Sequence, residues 1–353
     1  MRTIWRLTLL LWVVFALGCN SKKDSAETGS LRPSDERVEH NGDGNSTSSG
    51  TGQNADPGQP PSVVTTRDQT PPIPGTASPR NTGEIEKRLR NAKFRQIKPM
   101  SSRSRSVRLY FPDGGSAIFK PMLVGDSSAR LEVAFYRLAA VLNVQTVPVS
   151  VMRPIYPDRF ENALMLKDTD EARAFLDALE RDARGRVWGA MIEWLEGLKP
   201  VGAEDDRGRL DVRVVFGNDA RRNLWASLSD AIVLDYLLGN WDRFSGGNLF
   251  RMENGDALAL IDHNEAFYRL NARQKQLLDD SLRAVRCFSP ALVLRLRELT
   301  PEIVDSALKT TDWDGVLLRQ VEIGNIFKRK DTLLKFIDRR IAAANGTDEW
   351  KCD

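Results

Sequence analysis

The stretch Asp235-Tyr-Leu-Leu-Gly-Asn-Trp-Asp-Arg-Phe-Ser-Gly-Gly-Asn248 changes from apolar to polar character at its first glycine. The apolar residues before that glycine have helical spacing, and glycine is typical of the position directly after a helix. The polar loop that follows carries Asp242 and Asn248. Further on, the apolar run from Ala257 to Ile261 predicts a β-strand, and a second acidic residue, Asp262, comes directly after it. Two loops about twenty residues apart therefore present two carboxylates and an amide.

These residue types suit a metal ion that carries phosphate groups. Carboxylate and amide oxygens are ligands that Mg²⁺ accepts, and a well-placed aspartate can orient an attacking hydroxyl. The pattern also has an ordinary structural interpretation. Gly-Asn pairs punctuate many loops, and an Asp after a strand often caps the residues that follow it. Support for a chemical role must therefore come from elsewhere in the chain.

Upstream of these loops, the sequence predicts a β-hairpin that carries a lysine. Val107-Arg-Leu-Tyr-Phe111 alternates in hydrophobicity, Pro112-Asp-Gly-Gly115 has strong turn chemistry, and Ser116-Ala-Ile-Phe-Lys120 returns as the second strand. Because successive side chains of a strand point to opposite faces, Lys120 shares a face with Ile118.

A helix with an acidic residue at the border of its apolar stripe follows the hairpin. Residues 128–142 repeat apolar side chains at 3-4 spacing, which predicts a helix with one face toward a core. Glu132 lies at the edge of that stripe. From there its carboxylate can reach a lysine of the neighbouring sheet, or it can be an ordinary solvated side chain.

The remaining elements favour a sheet-rich part followed by a helical part. Strands are predicted at Thr146–Met152 and Val187–Leu195, with helical spacing at Asp170–Arg181 between them. Ser227-Leu-Ser-Asp230 matches a helix-capping signature within a helix predicted at Leu224–Leu238. The other predicted helices are Glu84–Ala92, Arg273–Val285, Pro290–Leu299, Pro301–Lys309 and Asp331–Ala344.

Five short blocks occur in a specific order, namely Ala117-Ile-Phe-Lys-Pro121, Glu132-Val-Ala-Phe-Tyr-Arg-Leu138, Thr146-Val-Pro148, Leu238-Gly-Asn-Trp-Asp-Arg243 and Leu260-Ile-Asp262. In this order they resemble the atypical kinases of the secretory pathway, which include the Golgi casein kinase and four-jointed groups. The blocks are more distantly similar to HipA-type and phosphoinositide kinases. The resemblance implies an α+β, bilobal protein-kinase-like fold. Its small antiparallel β lobe with one helix would occupy residues 85–200, and a larger, mainly helical lobe residues 201–353.

The resemblance also implies a role for each matching residue in the binding of ATP with Mg²⁺ or Mn²⁺. Lys120 would contact the α- and β-phosphates, and Glu132 would orient it through an ion pair. Asp242 would be the catalytic aspartate, which accepts or orients the proton of the acceptor hydroxyl. Asp262 and Asn248 would be metal ligands. The hinge, over which adenine stacks, would contain Glu193, Trp194 and Leu195.

The sequence departs from the kinase pattern in three places. No glycine-rich G-x-G-x-x-G loop is present, so the turn Asp113-Gly114-Gly115 would have to cover the phosphates with its backbone N–H groups. Asp242 and Asn248 are six positions apart, whereas ordinary kinase loops use five, so either a bulge keeps the geometry or Asn248 is not a ligand. Asp262-His263-Asn264 stands where ordinary kinases have D-F-G.

The amino terminus is typical of an export signal with a lipid anchor. A basic start precedes an apolar run from Leu7 to Leu17, which is shorter than the roughly 20 residues that span a bilayer. Cys19 follows Ala16-Leu17-Gly18 and resembles the lipidated cysteine of bacterial lipoproteins. We expect a signal peptide at residues 1–18 and membrane attachment through Cys19, on the periplasmic or outer-membrane face of the bacterial cell envelope. A plain cleaved signal and an uncleaved anchor are the alternatives.

Residues 19–84 are predicted to be a disordered tether. No aromatic residue occurs between Phe15 and Phe94, and eight of the 17 prolines fall between Asn20 and Asn81. Such a segment buries too little apolar surface to offset the entropy lost on ordering.

The net charge gives no support to a nucleic-acid partner, and the small number of cysteines and histidines argues against a zinc site. The formal net charge of +3 becomes +1 when Arg2 and Arg6 leave with the signal peptide (3 − 2), and no basic stripe is evident, so we expect no nucleic-acid partner. With three cysteines and two histidines, a closed Cys/His zinc site is nearly excluded. Cys287 and Cys352 can pair in an oxidising compartment, and the sequence does not decide whether they do.

We therefore expect a lipid-anchored phosphotransferase that acts on a hydroxyl of a protein or a glycan. A nucleotide-binding pseudokinase and a non-catalytic envelope scaffold are the alternatives, since ATP is scarce outside the cytoplasm. A hydrolase that uses His263 with Asp262 or Asp242 and a serine such as Ser245 has little support, because the chain contains no G-x-S-x-G motif.

Overall fold

The computed structural model describes residues 81–100, 106–159, 170–201, 216, 224–244, 247–252 and 258–352. The predicted signal peptide, Cys19, Ser245 and the tether up to residue 80 lie outside the described residues. The first helix is Thr82–Asn91, so residues 82–84, at the end of the predicted tether, are helical. The other predicted domain limits stay predictions.

Strands and helices alternate in the first half of the described chain, and helices dominate the second half. Strands β1 to β8 are Gln96–Pro99, Val107–Tyr110, Ser116–Pro121, Ser150–Ile155, Val187–Glu193, Lys199–Pro200, Leu249–Arg251 and Leu258–Leu260. Helices α1 to α8 are Thr82–Asn91, Ser128–Val141, Asp170–Asp177, Trp225–Leu238, Ala272–Ala284, Pro290–Glu298, Pro301–Leu308 and Gln320–Ala343.

The first sheet is antiparallel and has the strand order β1-β2-β3-β5-β4. Along β3 every second side chain is buried, so Ala117 and Phe119 lie in the core and Lys120 lies on the other face. Lys120 is opposite Ala190 of β5 in the register. Helix α2 packs against β3, β4 and β5. The sheet and this helix therefore hold Lys120 between them.

Helix α4 forms the centre of the helical part. It is apolar on all sides, as in Ala231-Ile-Val-Leu234, and such a helix is stable only when it is surrounded by protein. Accordingly it packs against α5, α8 and β8. A second sheet has the strand order β6-β7-β8, and β8 ends two residues before Asp262. The helix and this sheet thus place the two acidic loops next to each other.

The predicted hairpin, helix α2 and the limits of helix α4 are confirmed, but two other boundaries and the capping signature are wrong. The strand predicted at Thr146–Met152 lies at Ser150–Ile155 instead. Helix α4 begins at Trp225 without a side-chain cap, so Ser227 of the proposed capping signature is inside the helix. Helix α8 begins at Gln320, 11 residues before the predicted start at Asp331 (331 − 320), and the Glu322 carboxylate caps this start by accepting the N–H of Arg319 at 2.7 Å.

A disulfide between Cys287 and Cys352 decides the pairing that the sequence left open. The bond joins the start of α6 to the end of the described chain, where Phe288 and Lys351 form a β-bridge. Among the described residues, none of the helices has the length and apolar character needed to cross a membrane.

Candidate active site

Lys120 lies at the centre of an ion-pair network between the sheet and helix α2. Its ammonium Nζ is 2.6 Å from Oε1 of Glu132 and 3.0 Å from Oδ1 of Asp262. Glu132 is only 2% exposed, so the alternative of an ordinary solvated side chain is wrong. The structure therefore brings together a lysine, a helix carboxylate and a strand-end aspartate from three distant segments of the chain.

The charges of this network stabilise one another against the cost of burial. Burial lowers the pKa of Lys120, but the negative charges of Glu132 and Asp262 more than reverse this and hold that pKa above its ordinary range. Burial raises the pKa of Glu132, but the Lys120 charge and hydrogen bonds from His263 and Lys120 hold it well below its ordinary value. Both groups are ionised at neutral pH, so Lys120 presents a fixed positive charge.

The chain turns sharply at Asp262. This residue has a φ of 55°, a left-handed conformation that Asp adopts more readily than most residues. The Asp262 carboxylate is 44% exposed, whereas the next side chain, His263, is buried and bonds through Nδ1 to Oε2 of Glu132 at 2.9 Å. The His263 ring is buried, and no serine hydroxyl among the described residues contacts its Nε2, so the structure gives the hydrolase alternative no support.

The loop after helix α4 brings Asn248 back to Asp242. The helix ends at Gly239, whose φ of 75° is left-handed. The amide Nδ2 of Asn248 donates to Oδ2 of Asp242 at 3.1 Å and to its carbonyl oxygen at 3.2 Å. Gly247, with a φ of 81°, lies just before Asn248. The six-position spacing is thus compatible with contact between the two side chains.

Arg243 connects this loop to its surroundings and has no role in the sequence-based prediction. Its guanidinium pairs with Asp235 of helix α4, and its Nη1 donates to the carbonyl oxygens of Asn248 and Ile261, both at 2.7 Å. Asn240 also donates to Asp235, at 3.0 Å. The sequence did contain a signal for this ion pair. Asp235 lies in a largely apolar helix, and a buried carboxylate needs a charged or hydrogen-bonding partner.

Glu265 is a third carboxylate near the acidic loops that sequence reasoning did not select. Burial raises the pKa of Glu265, and the negative charges of Asp242 and Asp262 raise it further, while a hydrogen bond from Trp241 opposes them. The hydrogen bond with Trp241, the residue before Asp242, puts Glu265 beside the first acidic loop. Glu265 lies three residues after Asp262 in the sequence, and this short separation could have indicated that it belongs to the same region.

The oxygen donors of this region fit Mg²⁺ or Mn²⁺ bound together with nucleotide phosphates. Asp262, Asn248 and Asp242 supply carboxylate and amide oxygens, which these hard ions prefer. Within the described ranges, no group of three or more His, Cys, Asp or Glu side chains is arranged to hold a metal ion. Mg²⁺ commonly binds one or two carboxylates plus phosphates and keeps several waters, so the donor set suits an ion that arrives with a nucleotide.

The backbone N–H groups of the turn Asp113-Gly114-Gly115 do not point to a phosphate site as the sequence predicts. The N–H of Gly114 donates to the carbonyl oxygen of Phe111 at 3.2 Å, and the N–H of Gly115 donates to the Asp113 carboxylate at 3.2 Å. Asp113 is also paired with Arg88. Because both glycine N–H groups are already used inside the turn, the expectation that they cover the phosphates is wrong for this conformation.

The three predicted hinge residues follow one another at the end of β5. Glu193 is opposite Ala117 in the sheet register, and its carboxylate accepts the N–H of Val149 at 3.1 Å. The Arg108 guanidinium lies 3.7 Å from the centroid of the Trp194 ring, so one ring face is covered. Trp194 and Leu195 are half-buried. The segment is at the opposite end of the sheet pairing from Lys120.

No protein-family model matches the chain, and no curated protein is significantly similar to it in sequence. Solved structures are similar. The Golgi casein kinase is 15% identical with a TM-score of 0.57, and the match covers 78% of this chain and 79% of that one. The chain has the fold of an atypical kinase. Thus the α+β, kinase-like fold that the sequence predicted is confirmed.

Two further structures support the same fold. The Golgi casein kinase with Mn/ADP bound is 16% identical with a TM-score of 0.50, covering 72% of this chain and 74% of that chain. The Fam20 protein of hydra, solved with sugar, is 14% identical with a TM-score of 0.53, covering 77% of this chain and 92% of that chain.

Proposed function

We propose that this protein is an ATP- and metal-dependent phosphotransferase that acts on a hydroxyl of a protein or a glycan in the cell envelope. The observation that carries the proposal is the position of Lys120, whose ammonium lies between Glu132 and Asp262 at 2.6 and 3.0 Å. The network combines a cation for phosphate, a carboxylate that fixes it and a carboxylate suited to a metal ion. A scaffold that binds no nucleotide has no need of this combination.

The contacts of the site residues suggest a role for each of them in binding ATP and a metal ion. Bound ATP with Mg²⁺ or Mn²⁺ would supply the phosphoryl group. Lys120 would hold the α- and β-phosphates, while Glu132 restricts the rotamers of its long side chain. Asp262 would hold the ion. Asn248 would contribute its amide oxygen, because its amide nitrogen already donates to Asp242.

Asp242 would take the proton that the acceptor hydroxyl loses. The hydrogen bond from Asn248 to its Oδ2 at 3.1 Å orients the carboxylate. The backbone beneath it is held by Arg243, which contacts both acidic loops. A positioned general base of this kind contributes about 10²- to 10⁴-fold to the rate.

The assignment of cofactor and compartment has separate support. The Golgi casein kinase has been solved with Mn/ADP bound, and hydra Fam20 with sugar, which supports a nucleotide, a divalent ion and a glycan or protein acceptor for a chain of the same fold. The signal-like residues 1–18 and the lipobox-like Cys19 support a lipid-anchored envelope protein. The disulfide between Cys287 and Cys352 fits an oxidising compartment.

The test is transfer from γ-labelled ATP by the full chain with Mg²⁺ or Mn²⁺, offered protein and glycan acceptors. In Asp242→Asn we expect transfer to fall about 100-fold or more, while the thermal shift caused by ATP and metal persists. In Asp262→Asn we expect both transfer and the shift to be lost. Asp280→Asn, an exposed carboxylate on α5, is the matched control and should behave as wild type.

The contrary outcomes separate the alternatives. A thermal shift with no transfer in the wild type indicates a nucleotide-binding pseudokinase. Neither shift nor transfer in the wild type refutes nucleotide binding altogether. Full transfer by Asp242→Asn refutes the role of that residue alone. The mass of the amino-terminal peptide tests the anchor separately, because a mature chain that retains residues 1–18 and carries no lipid on Cys19 contradicts it.

A further inference from the structure

We propose that His263 is a positioning residue that joins Glu132 to the Asp262 loop and thereby holds Lys120 in place for phosphate. This inference rests on the proposed function, since it concerns the same site. It assigns a specific part to the side chain that stands where ordinary kinases have the Phe of D-F-G.

The first observation is that, within the described part of the chain, His263 supplies two of the three hydrogen bonds that Glu132 accepts. Oε1 of Glu132 accepts from Lys120 Nζ at 2.6 Å and from the backbone N–H of His263 at 3.0 Å. Oε2 lies 2.9 Å from His263 Nδ1. An ionised carboxylate can only accept, so Nδ1 carries the hydrogen in this contact. The loop that presents Asp262 is thus bonded directly to the residue that orients Lys120.

The second observation is the packing of the imidazole. Its ring stacks on Phe135 of helix α2, with centroids 3.8 Å apart and an interplanar angle of 23°. Phe135 lies three residues after Glu132, so one face of helix α2 contacts His263 through both side chains. Helix α2 and the Asp262 loop are therefore coupled through a single buried ring.

The third observation is that the His263 ring buries a polar nitrogen without a hydrogen bond. An apolar ring at this position would avoid that desolvation cost. His263 is 2% exposed, and its Nε2 has no hydrogen-bond partner among the residues that the structure describes. If packing were the only requirement, Phe would fill the space without a buried unpaired nitrogen. What histidine adds is the Nδ1–H donor to Glu132.

Two variants separate hydrogen bonding from packing. His263→Phe keeps an aromatic ring against Phe135 but removes the donor, while His263→Asn keeps a donor near the Nδ1 position and removes the ring. We expect His263→Phe to raise the KM for ATP about tenfold with a smaller effect on kcat, and His263→Asn to stay within about threefold of wild type. The reverse order, with Phe tolerated and Asn defective, would overturn the proposal.

A spectroscopic readout tests the bond without reference to activity. The chain has two histidines, His40 and His263, so ¹⁵N-histidine labelling of the full chain gives signals that His263→Asn assigns. We expect a signal from a proton on Nδ1, and a shift of that signal in Glu132→Gln. Normal ATP kinetics with the proton on Nε2 overturn this inference alone. An Nδ1–H signal in a chain that binds no ATP overturns the proposed function and, with it, a phosphate-directed role for the bond.

Discussion

Arg243 and Asp235 form a two-point ion pair that is buried on both sides. Arg243 Nε is 2.9 Å from Oδ2 of Asp235, and Arg243 Nη2 is 3.1 Å from Oδ1. The two side chains are 1% and 2% exposed. Since the same guanidinium also bonds the carbonyls of Asn248 and Ile261, it ties helix α4 to both acidic loops. The geometry of the candidate site therefore depends on a pair that lies beneath it.

Arg243→Ala is expected to destabilise the protein strongly. The substitution leaves the Asp235 carboxylate buried without its cationic partner and with only the Asn240 amide bonded to it, which costs about 3–5 kcal/mol in the free energy of unfolding. Arg243→Lys should recover little, because an ammonium cannot reproduce the planar, two-point contact. Urea unfolding measures both effects.

Arg283→Ala is the matched control for this prediction. Arg283 pairs with Asp280 on the surface, where the side chains are 62% and 42% exposed, and the loss should be about 0–1 kcal/mol. Equal losses in Arg243→Ala and Arg283→Ala would contradict the central place of the buried pair.

The parts of the site that could be predicted depend on local pattern. The position of Lys120 follows from strand alternation and a strong turn, both of which lie within a few residues of it. Glu132 follows from the 3.6-residue period of its helix. The sequence also placed Asp242 and Asp262 after a helix and a strand, as observed.

The remaining features depend on contacts between distant segments. The apolar run around Asp235 predicts a buried helix, but only tertiary structure shows that Arg243 satisfies its charge. Likewise, the start of helix α8 is set by Glu322, whose carboxylate binds Arg130 of helix α2. The turn at Gly114 and Gly115 has the expected shape, but its N–H groups are used internally, which composition does not reveal.

Gly189→Ala is expected to disturb the strand that carries Lys120. A Cβ at position 189 would lie 2.5 Å from the carbonyl oxygen of Lys120 and 2.6 Å from the ring of Phe119. We expect a loss of about 1–3 kcal/mol in the free energy of unfolding and weaker ATP binding, because the strand must shift to relieve the overlap. Thermal unfolding with and without ATP and metal measures both.

The control for this substitution is Gly324→Ala in helix α8. A Cβ there meets no atom within 4 Å, so alanine should stabilise the helix by up to about 1 kcal/mol. If the Gly189→Ala protein has the same free energy of unfolding as the Gly324→Ala protein, strands β3 and β5 can separate enough to accept the added Cβ, and the prediction is wrong.

The Glu322 carboxylate predicts a loss of stability in acid. Burial raises its pKa, but hydrogen bonds from Arg130 and Arg319 outweigh burial and bring the pKa to about 2. A group whose folded pKa is depressed contributes stability above its unfolded pKa, roughly 4.3 for Glu, and loses it as the pH falls toward the folded value. The contribution is therefore complete at neutral pH and declines between about pH 4.3 and pH 2.

Glu322→Gln should be less stable than wild type at pH 7 and less sensitive to acid. It removes the negative charge that faces the Arg130 guanidinium and one of the two acceptor oxygens, at 2.8 and 2.9 Å, that join helices α2 and α8. The urea midpoint, followed from pH 7 to pH 2.5, measures the difference between the two proteins. A difference that stays constant as the pH falls would contradict the depressed pKa of Glu322.

Replacing both Cys287 and Cys352 with alanine is expected to lower the free energy of unfolding by about 4 kcal/mol. The disulfide closes a loop with a sequence separation of 65, and the estimate follows from the entropy that the closed loop removes from the unfolded chain. Two backbone hydrogen bonds lie beside the disulfide, from Phe288 N–H to Trp350 at 2.7 Å and from Cys352 N–H to Phe288 at 3.0 Å. We expect both to open more often when the disulfide is absent. Thermal unfolding with and without a reductant is the measurement. The reductant should lower the Tm of the wild type and leave the double variant unchanged, whereas an unchanged wild-type Tm after reduction confirmed by mass would show that the carboxy-terminal segment is held by its packing alone.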